Sequence, residues 1–322
     1  MTDFFWKHLK SKGFFWLCGA LALFAVLPVF VGRGYVSLIN EMLILAVAAC
    51  GLNILMGYTG LVNFGPAGLY TVGAYATALI LVNTSIPFGL ALVAGPFTTT
   101  IISFFVGWFC VRLTSVYFSL LTLAFSEIIH IIIFNWYSFT RGDDGIVNIP
   151  IPEFWNYYSY YYLSLIIVSA CMALMWIIVS SPFGKTLQAI RENPHRTASI
   201  GIDVRRYQLA GFVVSGTFLG VAGSLFCGFN QNVFPDYAGP MKSMEMIVVV
   251  LMGGMYSFLG PLAGSIVFIL LDKFITKYFQ YWPLVLGMVV IILLLFLRGG
   301  IVGFIEERIA LAKQTNLKEK KC

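Results

Sequence analysis

Long apolar runs separated by short polar segments dominate this sequence. Each run approaches or exceeds the roughly 20 residues that an α-helix needs to cross the hydrocarbon core of a bilayer. The pattern predicts an all-α polytopic membrane protein with about ten transmembrane helices. The ten runs cover residues 14–31, 36–56, 61–82, 87–111, 115–135, 157–180, 207–229, 244–258, 259–280 and 283–303.

Three of these runs depart from a simple, uninterrupted apolar span. The first follows a basic segment at 1–13 and resembles a signal peptide, but it is long and no small-residue cleavage motif follows, so we expect an uncleaved first span. Runs 244–258 and 259–280 are the weakest, because glycine and proline interrupt them. We expect a broken or re-entrant helix there, since broken helices survive in membranes where protein or a water-filled path surrounds them.

Composition supports the membrane assignment and excludes other classes. Hydrophobic residues make up 59% of the chain and charged residues only 11%, against roughly 25% in soluble domains. This argues against a soluble enzyme, a disordered chain, a coiled coil and a nucleic-acid binder. The cysteines lack CxxC spacing, so we expect neither a disulfide framework nor a zinc site. The six are Cys18, Cys50, Cys110, Cys171, Cys227 and Cys322.

The basic residues predict the orientation. With ten spans and both termini in the cytoplasm, 15 of the 20 lysines and arginines fall in cytoplasmic segments, as the positive-inside rule requires. Nine spans would place the basic C-terminal tail outside. We therefore divide the chain into a cytoplasmic tail (1–13), a permease domain (14–303) with a cytoplasmic loop at 181–206, and a basic cytoplasmic tail (304–322). The loop at 137–156 is expected outside.

Glycines are dense where the second predicted span ends and the third begins. Exposed backbone groups there would suit a translocation path. The alternative is close helix packing through small residues. A similar Leu-Met-Gly sequence followed by Gly-Pro recurs at 251–261, on the same predicted side. The candidate path residues in these two regions are Asn53, Gly57, Gly60, Asn63, Gly65, Gly68, Gly253, Gly254 and Gly260.

The fifth predicted span contains Thr122, Glu127 and His130. Glu127 and His130 are three residues apart and share a helix face. A carboxylate at this depth costs at least ~2.5 kcal/mol in lipid, so it should face the protein interior. Glu127 could line the path with Thr122, relay protons, or form a structural hydrogen bond. Glu41, Asp272, Lys273 and Lys277 are expected near the membrane interface.

The long polar loop at 181–206 is the main hydrophilic feature. Residues 185–193 predict a short amphipathic helix that Pro194 stops, and Gly201 is predicted to end a second helix. A helical loop of this size suggests a docking surface, although a basic loop also serves as an orientation signal. Gly184-Lys185-Thr186 mimics the end of a Walker A loop, but Val179 stands where the first glycine is required. No catalytic set is recognisable.

Taken together, these residues resemble the LivM-type permease subunits of bacterial branched-chain amino acid ABC importers. The resemblance extends from about residue 40 to 300. Its motifs are the G-L-N-x-L-x-G-x-x-G run from Gly51 with G-A-Y at 73–75, and the stretches at 117–129, 181–193, 198–212 and 249–264.

The resemblance implies that the 181–206 loop contacts a cytoplasmic ATPase. The implied contact residues are Gly184, Ala189, Arg191, Ala198 and Gly201. A typical coupling loop has Glu-Ala-Ala before its glycine, whereas this chain has Arg-Thr-Ala at 196–198. The family works as a permease heterodimer with two ATPases and a periplasmic or lipid-anchored binding protein. ATP and magnesium then belong to the partners, and this chain holds no cofactor.

Branched-chain amino acids are the expected substrates, because an apolar pore suits a zwitterion with an aliphatic side chain. The resemblance also leaves open urea, short amides and other hydrophobic amino acids. A stand-alone transporter with Glu127 as the proton carrier is the alternative mechanism.

Overall fold

The computed structural model describes residues 32–84, 86–113, 115–150 and 157–278, together with positions 19, 24, 28, 281, 284–285, 287–291 and 300–304. Within the continuous ranges the chain is helical, which confirms the predicted all-α polytopic class. Ten α-helices of six or more residues lie there: α1 Arg33–Asn53, α2 Pro66–Asn83, α3 Phe88–Cys110, α4 Ser115–Asn135, α5 Tyr157–Ser180, α6 Pro182–Glu192, α7 Pro194–Ser199, α8 Val204–Asn230, α9 Pro240–Gly253 and α10 Gly260–Tyr278.

Six helices in the described part of the chain are long and apolar enough to cross a membrane. They are α1 with its continuation to Thr59, α2, α3, α4, α5 and α8. The predicted span 14–31 and both predicted tails lie almost wholly outside the described residues, and about half of the predicted span 283–303 lies outside them. The total of ten spans and the cytoplasmic position of the termini therefore stay predictions.

Glycines and hydroxyl side chains bring α2, α3 and α8 into close contact. A Cβ at Gly223 would overlap the main-chain oxygen of Tyr70, and one at Gly73 would lie 2.5 Å from the main-chain oxygen of Gly220. The Thr77 hydroxyl donates to the Ser224 hydroxyl at 2.9 Å. Small residues that let backbones approach, with hydroxyls that bond across helices, are the usual means of packing helices in lipid.

The outward faces of α3 and α5 are large and apolar. Phe97 and Ile166 expose 66% and 68% of their surface. Neither helix carries an Asp, Glu, Lys, Arg or His. These two faces are suited to contact with lipid hydrocarbon.

The helix α1 does not stop where the second predicted span ends. It continues as a π-helix, Ile54–Thr59, which is buried, and stops at Gly60, whose φ of 78° is left-handed. Residues 61–65 are not helical, so the predicted start of the third span at Leu61 is wrong. The helix α2 begins only at Pro66, because proline fits the first turn and disfavours helix in the residue before it.

The chain between α9 and α10 contains the break that its glycines predict. α9 has only 14 residues and ends at Gly253, next to Gly254 with a φ of 112°. α10 restarts at Gly260 and carries Asp272, Lys273 and Lys277. The predicted run 244–258 is therefore interrupted after Gly253, whereas the run 259–280 forms one continuous helix that carries three charged residues.

At the opposite end of the bundle from α6 and α7, two loops meet. Ile146 and Val233 form an isolated antiparallel bridge with both N···O distances at 2.9 Å. The loop after α8 then dips toward the bundle centre. Its Ala238 oxygen accepts a 3.0 Å hydrogen bond from Ser126, near the middle of α4. Residues 151–156 of the predicted external loop lie outside the described part of the chain.

Candidate functional site: a helical loop joined to two helix breaks

The loop at 181–206 folds into the two helices that its sequence predicts. Ser181 and Asn193 cap α6 and α7, accepting hydrogen bonds from the amides of Gly184 (3.5 Å) and Arg196 (3.0 Å). Each cap is followed by a proline in the first turn. Caps of this type, with proline at the first helical position, define helix starts locally, so sequence alone could place both helices.

One face of α6 fixes the loop to the bundle. Leu187 and Ile190 are buried, and the Phe183 ring stacks on the Tyr207 ring of α8 with centroids 5.7 Å apart. Gly184 is also buried, and a Cβ there would overlap the Val179 carbonyl at the end of α5. The predicted ATPase-contact residue Gly184 therefore lies against the bundle, and α6 packs directly against α5 and α8.

The turn after α7 faces away from the bundle. Ala198 and Gly201 are exposed, Ile200 exposes 74% of its surface, and Ala189 on α6 is half-buried. Gly201 has a φ of 89°, as expected where a helix ends in a left-handed residue. Of the five predicted contact residues, Ala198 and Gly201 are therefore the two that the fold leaves open to a partner.

Arg191 connects this loop to the membrane part of the protein. Its Nη1 donates to the carbonyl oxygen of Gly57, inside the π-helix. Its guanidinium carbon lies 5.1 Å from the centre of the Tyr256 ring, in the break between α9 and α10. A Cβ added at Gly60 would lie 2.8 Å from its Cγ. One side chain of the loop therefore contacts both helix breaks.

The two breaks also contact each other. Asn53 donates from Nδ2 to the carbonyl of Ser257 at 3.3 Å, and a Cβ at Gly57 would overlap the carbonyl of Met255. Gly253 and Gly260 also pack closely, since a Cβ added at Gly253 would overlap the main-chain oxygen of Gly260. The two similar sequence segments thus form one packed unit on the α6 side of the bundle.

The remaining candidate path residues pack against α4. Thr122 accepts a 3.2 Å hydrogen bond from the Phe64 amide, and the Asn63 side chain accepts one of 2.9 Å from Gly65. A Cβ at Gly65 would overlap the Thr122 carbonyl, and one at Gly68 would lie 2.8 Å from the Ser126 hydroxyl. In this conformation these glycines permit close packing, and their role in a path stays a prediction.

Glu127 and His130 do share a face of α4, as their spacing predicts. Glu127 Oε2 lies 3.6 Å from His130 Nδ1, and His130 Nε2 lies 3.8 Å from Asp236 Oδ1. Sequence reasoning missed Asp236, because the loop that carries it is more than a hundred residues away. The histidine therefore bridges two carboxylates from different elements.

Two ion pairs near the end of the bundle remote from α6 were also missed. Lys242 and Glu245 pair at 2.7 Å within α9, and Lys273 of α10 pairs with Glu41 of α1 at 3.1 Å. Sequence analysis placed Glu41 and Lys273 at the interface as independent residues. The spacing of Lys242 and Glu245, three apart at the start of an apolar run, was the available signal.

Within the described residues, no group of three or more His, Cys, Asp or Glu side chains could hold a metal ion. The described cysteines, Cys50, Cys110, Cys171 and Cys227, are free and buried. They behave as small apolar residues of the helix interfaces.

Comparison with known proteins gives a consistent result. A family model described as the permease component of branched-chain amino acid transport systems matches residues 34–297. The chain is 26% identical to the high-affinity branched-chain amino acid transport system permease protein LivM of Escherichia coli K12, over 94% of this chain and 77% of that protein.

Two further relatives are more distant. The permease protein LivH of the same system in E. coli K12 is 25% identical, over 80% of this chain and 91% of LivH. A tyrosine transport system permease protein of Clostridioides difficile is 23% identical, over 79% of this chain and 84% of that protein. No solved structure matches the chain significantly.

Proposed function

Because this chain belongs to the family of branched-chain amino acid transport system permease components, we propose that it passes branched-chain amino acids across the inner membrane as one permease subunit of an ATP-binding cassette importer. It is a multi-pass inner-membrane protein and an importer permease. The names of its relatives support the aliphatic substrate, and the relative named as a tyrosine transport system permease supports other amino acids as substrates of related chains.

The contact of Arg191 with both helix breaks carries the mechanistic part of this proposal. ATP binding closes two partner ATPases, which push on the exposed turn at Ala198 and Gly201. α6 moves with that turn, and Arg191 transfers the movement to Gly57 and Tyr256. The two helix breaks, whose backbones are not locked into continuous helices, then shift and open the path to the other side.

The partners follow from the same proposal. They are a second permease subunit of the LivH type, two cytoplasmic ATPases, and a periplasmic or lipid-anchored binding protein that sets the affinity. ATP and magnesium are held by the ATPases, and this chain catalyses no chemical step. Its candidate path residues are those of the two glycine-rich regions, with Thr122 and Glu127.

A proton-coupled transporter is the second candidate, and the Glu127–His130–Asp236 arrangement is the observation that favours it. A histidine between two carboxylates could exchange protons with a water path. Under this alternative Glu127→Gln abolishes uptake driven by a proton gradient. Under the importer proposal, uptake continues after a protonophore collapses the gradient. Competition distinguishes a urea or short-amide permease. In such a permease, excess urea would inhibit uptake of the substrate, whereas excess leucine would not.

The test is purification of the tagged chain from its native membranes in mild detergent, with mass spectrometry of the co-purifying proteins. The proposal predicts a second permease and two ATPase chains, and a captured binding protein that binds leucine, isoleucine or valine. A chain that purifies alone and transports alone would contradict it.

A further inference from the structure

Ionisable side chains of four helices and of the loop before α9 form three pairwise contacts, which together we call the ionic ribbon. Its members are His130 with Asp236, Lys242 with Glu245 on α9, and Glu41 of α1 with Lys273 of α10. Neighbouring residues connect these parts. Tyr237 lies within electrostatic reach of both Asp236 and Lys242, and Asp272 within reach of all four side chains of the two ion pairs.

The ribbon lies in the half of the bundle remote from α6, beside the membrane-spanning helices α2 and α8. The loop before α9 dips to Ser126, near the middle of α4, so α9 begins below the end of the bundle. Ser243 accepts a 3.3 Å hydrogen bond from the Ala67 amide in the first turn of α2. The ammonium of Lys242 lies 5.7 Å from the ring of Phe226, four residues before the end of α8.

These charges are partly exposed, yet lipid cannot cover them cheaply. The side chains of Lys242 and Glu245 are 21% and 26% exposed, and those of Lys273 and Glu41 are 48% and 36% exposed. Lys or Asp at the centre of a membrane helix costs about 2.5–3.5 kcal/mol. The lipid-suited faces of α3 and α5, in contrast, carry no such residue. The ribbon must therefore face water or another subunit.

We propose that the ionic ribbon faces the second permease subunit across a water-filled path and binds the passing substrate as a zwitterion. The ribbon is thus the part of the path that contacts the substrate, an assignment that rests on the importer function proposed above. Each pair of the ribbon joins an acidic and a basic group, so the ammonium and carboxylate of an amino acid exchange with existing ion-pair partners. Met241 and Met244, 87% and 44% exposed on the same helix, offer flexible apolar contacts to an aliphatic side chain.

The test measures water access in the complete importer, after all six native cysteines are replaced by alanine. Met244→Cys places a thiol on the ribbon, and Phe97→Cys places one on the outward face of α3. The two positions lie at similar depth in the bundle. Gly95, two residues before Phe97, packs against Ser224 of α8, and Lys242, two residues before Met244, lies against Phe226 on the same part of α8. Each variant is treated with the membrane-impermeant reagent methanethiosulfonate ethyltrimethylammonium from the side opposite the α6–α7 loop.

The proposal predicts at least tenfold faster modification of Met244→Cys than of Phe97→Cys, and slower modification with saturating leucine and binding protein. Equal rates, or no reaction at Met244→Cys, would overturn it, because lipid headgroups or a permanent protein contact then cover the ribbon. Leucine uptake is measured in the same membranes. If leucine is taken up but Met244→Cys is not modified, the ribbon proposal is wrong while the importer function stands. If Met244→Cys is modified but leucine is not taken up, the water-filled path is supported and the proposed substrate is wrong.

A charge exchange separates substrate contact from simple structural pairing. The double variant Lys242→Glu with Glu245→Lys keeps an ion pair but reverses its direction. The proposal predicts normal assembly and at least tenfold lower leucine uptake. Full recovery of uptake in the double variant, after loss in each single variant, would show that the pair is only structural.

Discussion

The side chain of Arg191 donates a hydrogen bond to the main-chain carbonyl of Gly57, and so ties the α6–α7 loop to a break in the membrane core. The same guanidinium lies over the ring of Tyr256 in the second break. A cytoplasmic loop that only marked membrane orientation would not need such a contact. This arrangement suits a loop that transmits movement, and it leads to four predictions.

Reversal of the charge at Arg191 should uncouple ATP hydrolysis from transport. In Arg191→Glu a carboxylate replaces the donor to the Gly57 carbonyl and removes the contact with Tyr256. We expect normal membrane insertion and assembly, retained ATPase activity and at least tenfold lower uptake. The measurement is the ratio of leucine imported to ATP hydrolysed in proteoliposomes. Arg112→Glu, at an exposed arginine after α3 and outside the 181–206 loop, is the matched control, and an equal loss there would contradict the assignment.

Gly60→Ala should weaken the same connection. Gly60 has a φ of 78°, where an alanine costs about 1–2 kcal/mol, and its Cβ would also displace the side chain of Arg191. Gly201→Ala carries a similar backbone cost at a φ of 89° but meets no neighbour within 4 Å. We expect both variants to unfold at slightly lower temperature, while only Gly60→Ala lowers the coupling ratio. An identical ratio in the two variants would mean that Arg191 is not affected.

Bulk at Gly201 should block the docking of the ATPase. The position is exposed, with open space around it, so Gly201→Trp places an indole on the surface that we propose the ATPase contacts. We expect an inserted permease that no longer retains ATPase subunits through detergent purification. Gly201→Ala has the same backbone conformation and little bulk, and it should retain them. Retention by both variants would exclude this turn from the interface.

Gly223→Ala should destabilise the helix core. The added Cβ overlaps the carbonyl oxygen of Tyr70, a backbone atom that cannot rotate away. Overpacking of this kind costs about 1–3 kcal/mol. Gly89→Ala on α3, with no atom within 4 Å, is the control and should leave the thermal unfolding of the purified protein unchanged or slightly raised. Equal unfolding temperatures would show that α2 and α8 separate easily.

Local features of the structure were predictable from the sequence. Ser181-Pro182 and Asn193-Pro194 mark two helix starts through cap and proline chemistry that acts within a few residues. The apolar runs gave six spanning helices because length and hydrophobicity suffice to define them. In contrast, the third span was predicted to begin too early. The apolar residues after Gly60 do not reveal that the chain leaves the helix at the left-handed Gly60 and enters the next helix only at Pro66.

Contacts between distant segments were not predictable. Glycine identity alone left the choice between a path and close packing open, and only the structure shows Gly65 against the Thr122 carbonyl. The pairing of Glu41 with Lys273 joins residues more than two hundred positions apart. The resemblance placed Arg191 at the ATPase contact. That contact stays a prediction. The structure directs the guanidinium of Arg191 to Gly57 and Tyr256, a direction that no local pattern reveals.

The most direct test of the importer function measures leucine uptake by proteoliposomes that contain this chain with its co-purified permease and ATPases. ATP is supplied on the side of the α6–α7 loop, and the binding protein on the other side. An ATP-driven importer predicts uptake that requires hydrolysable ATP and persists when a protonophore removes any proton gradient. Uptake by this chain alone, driven by a proton gradient and lost in Glu127→Gln, would contradict it.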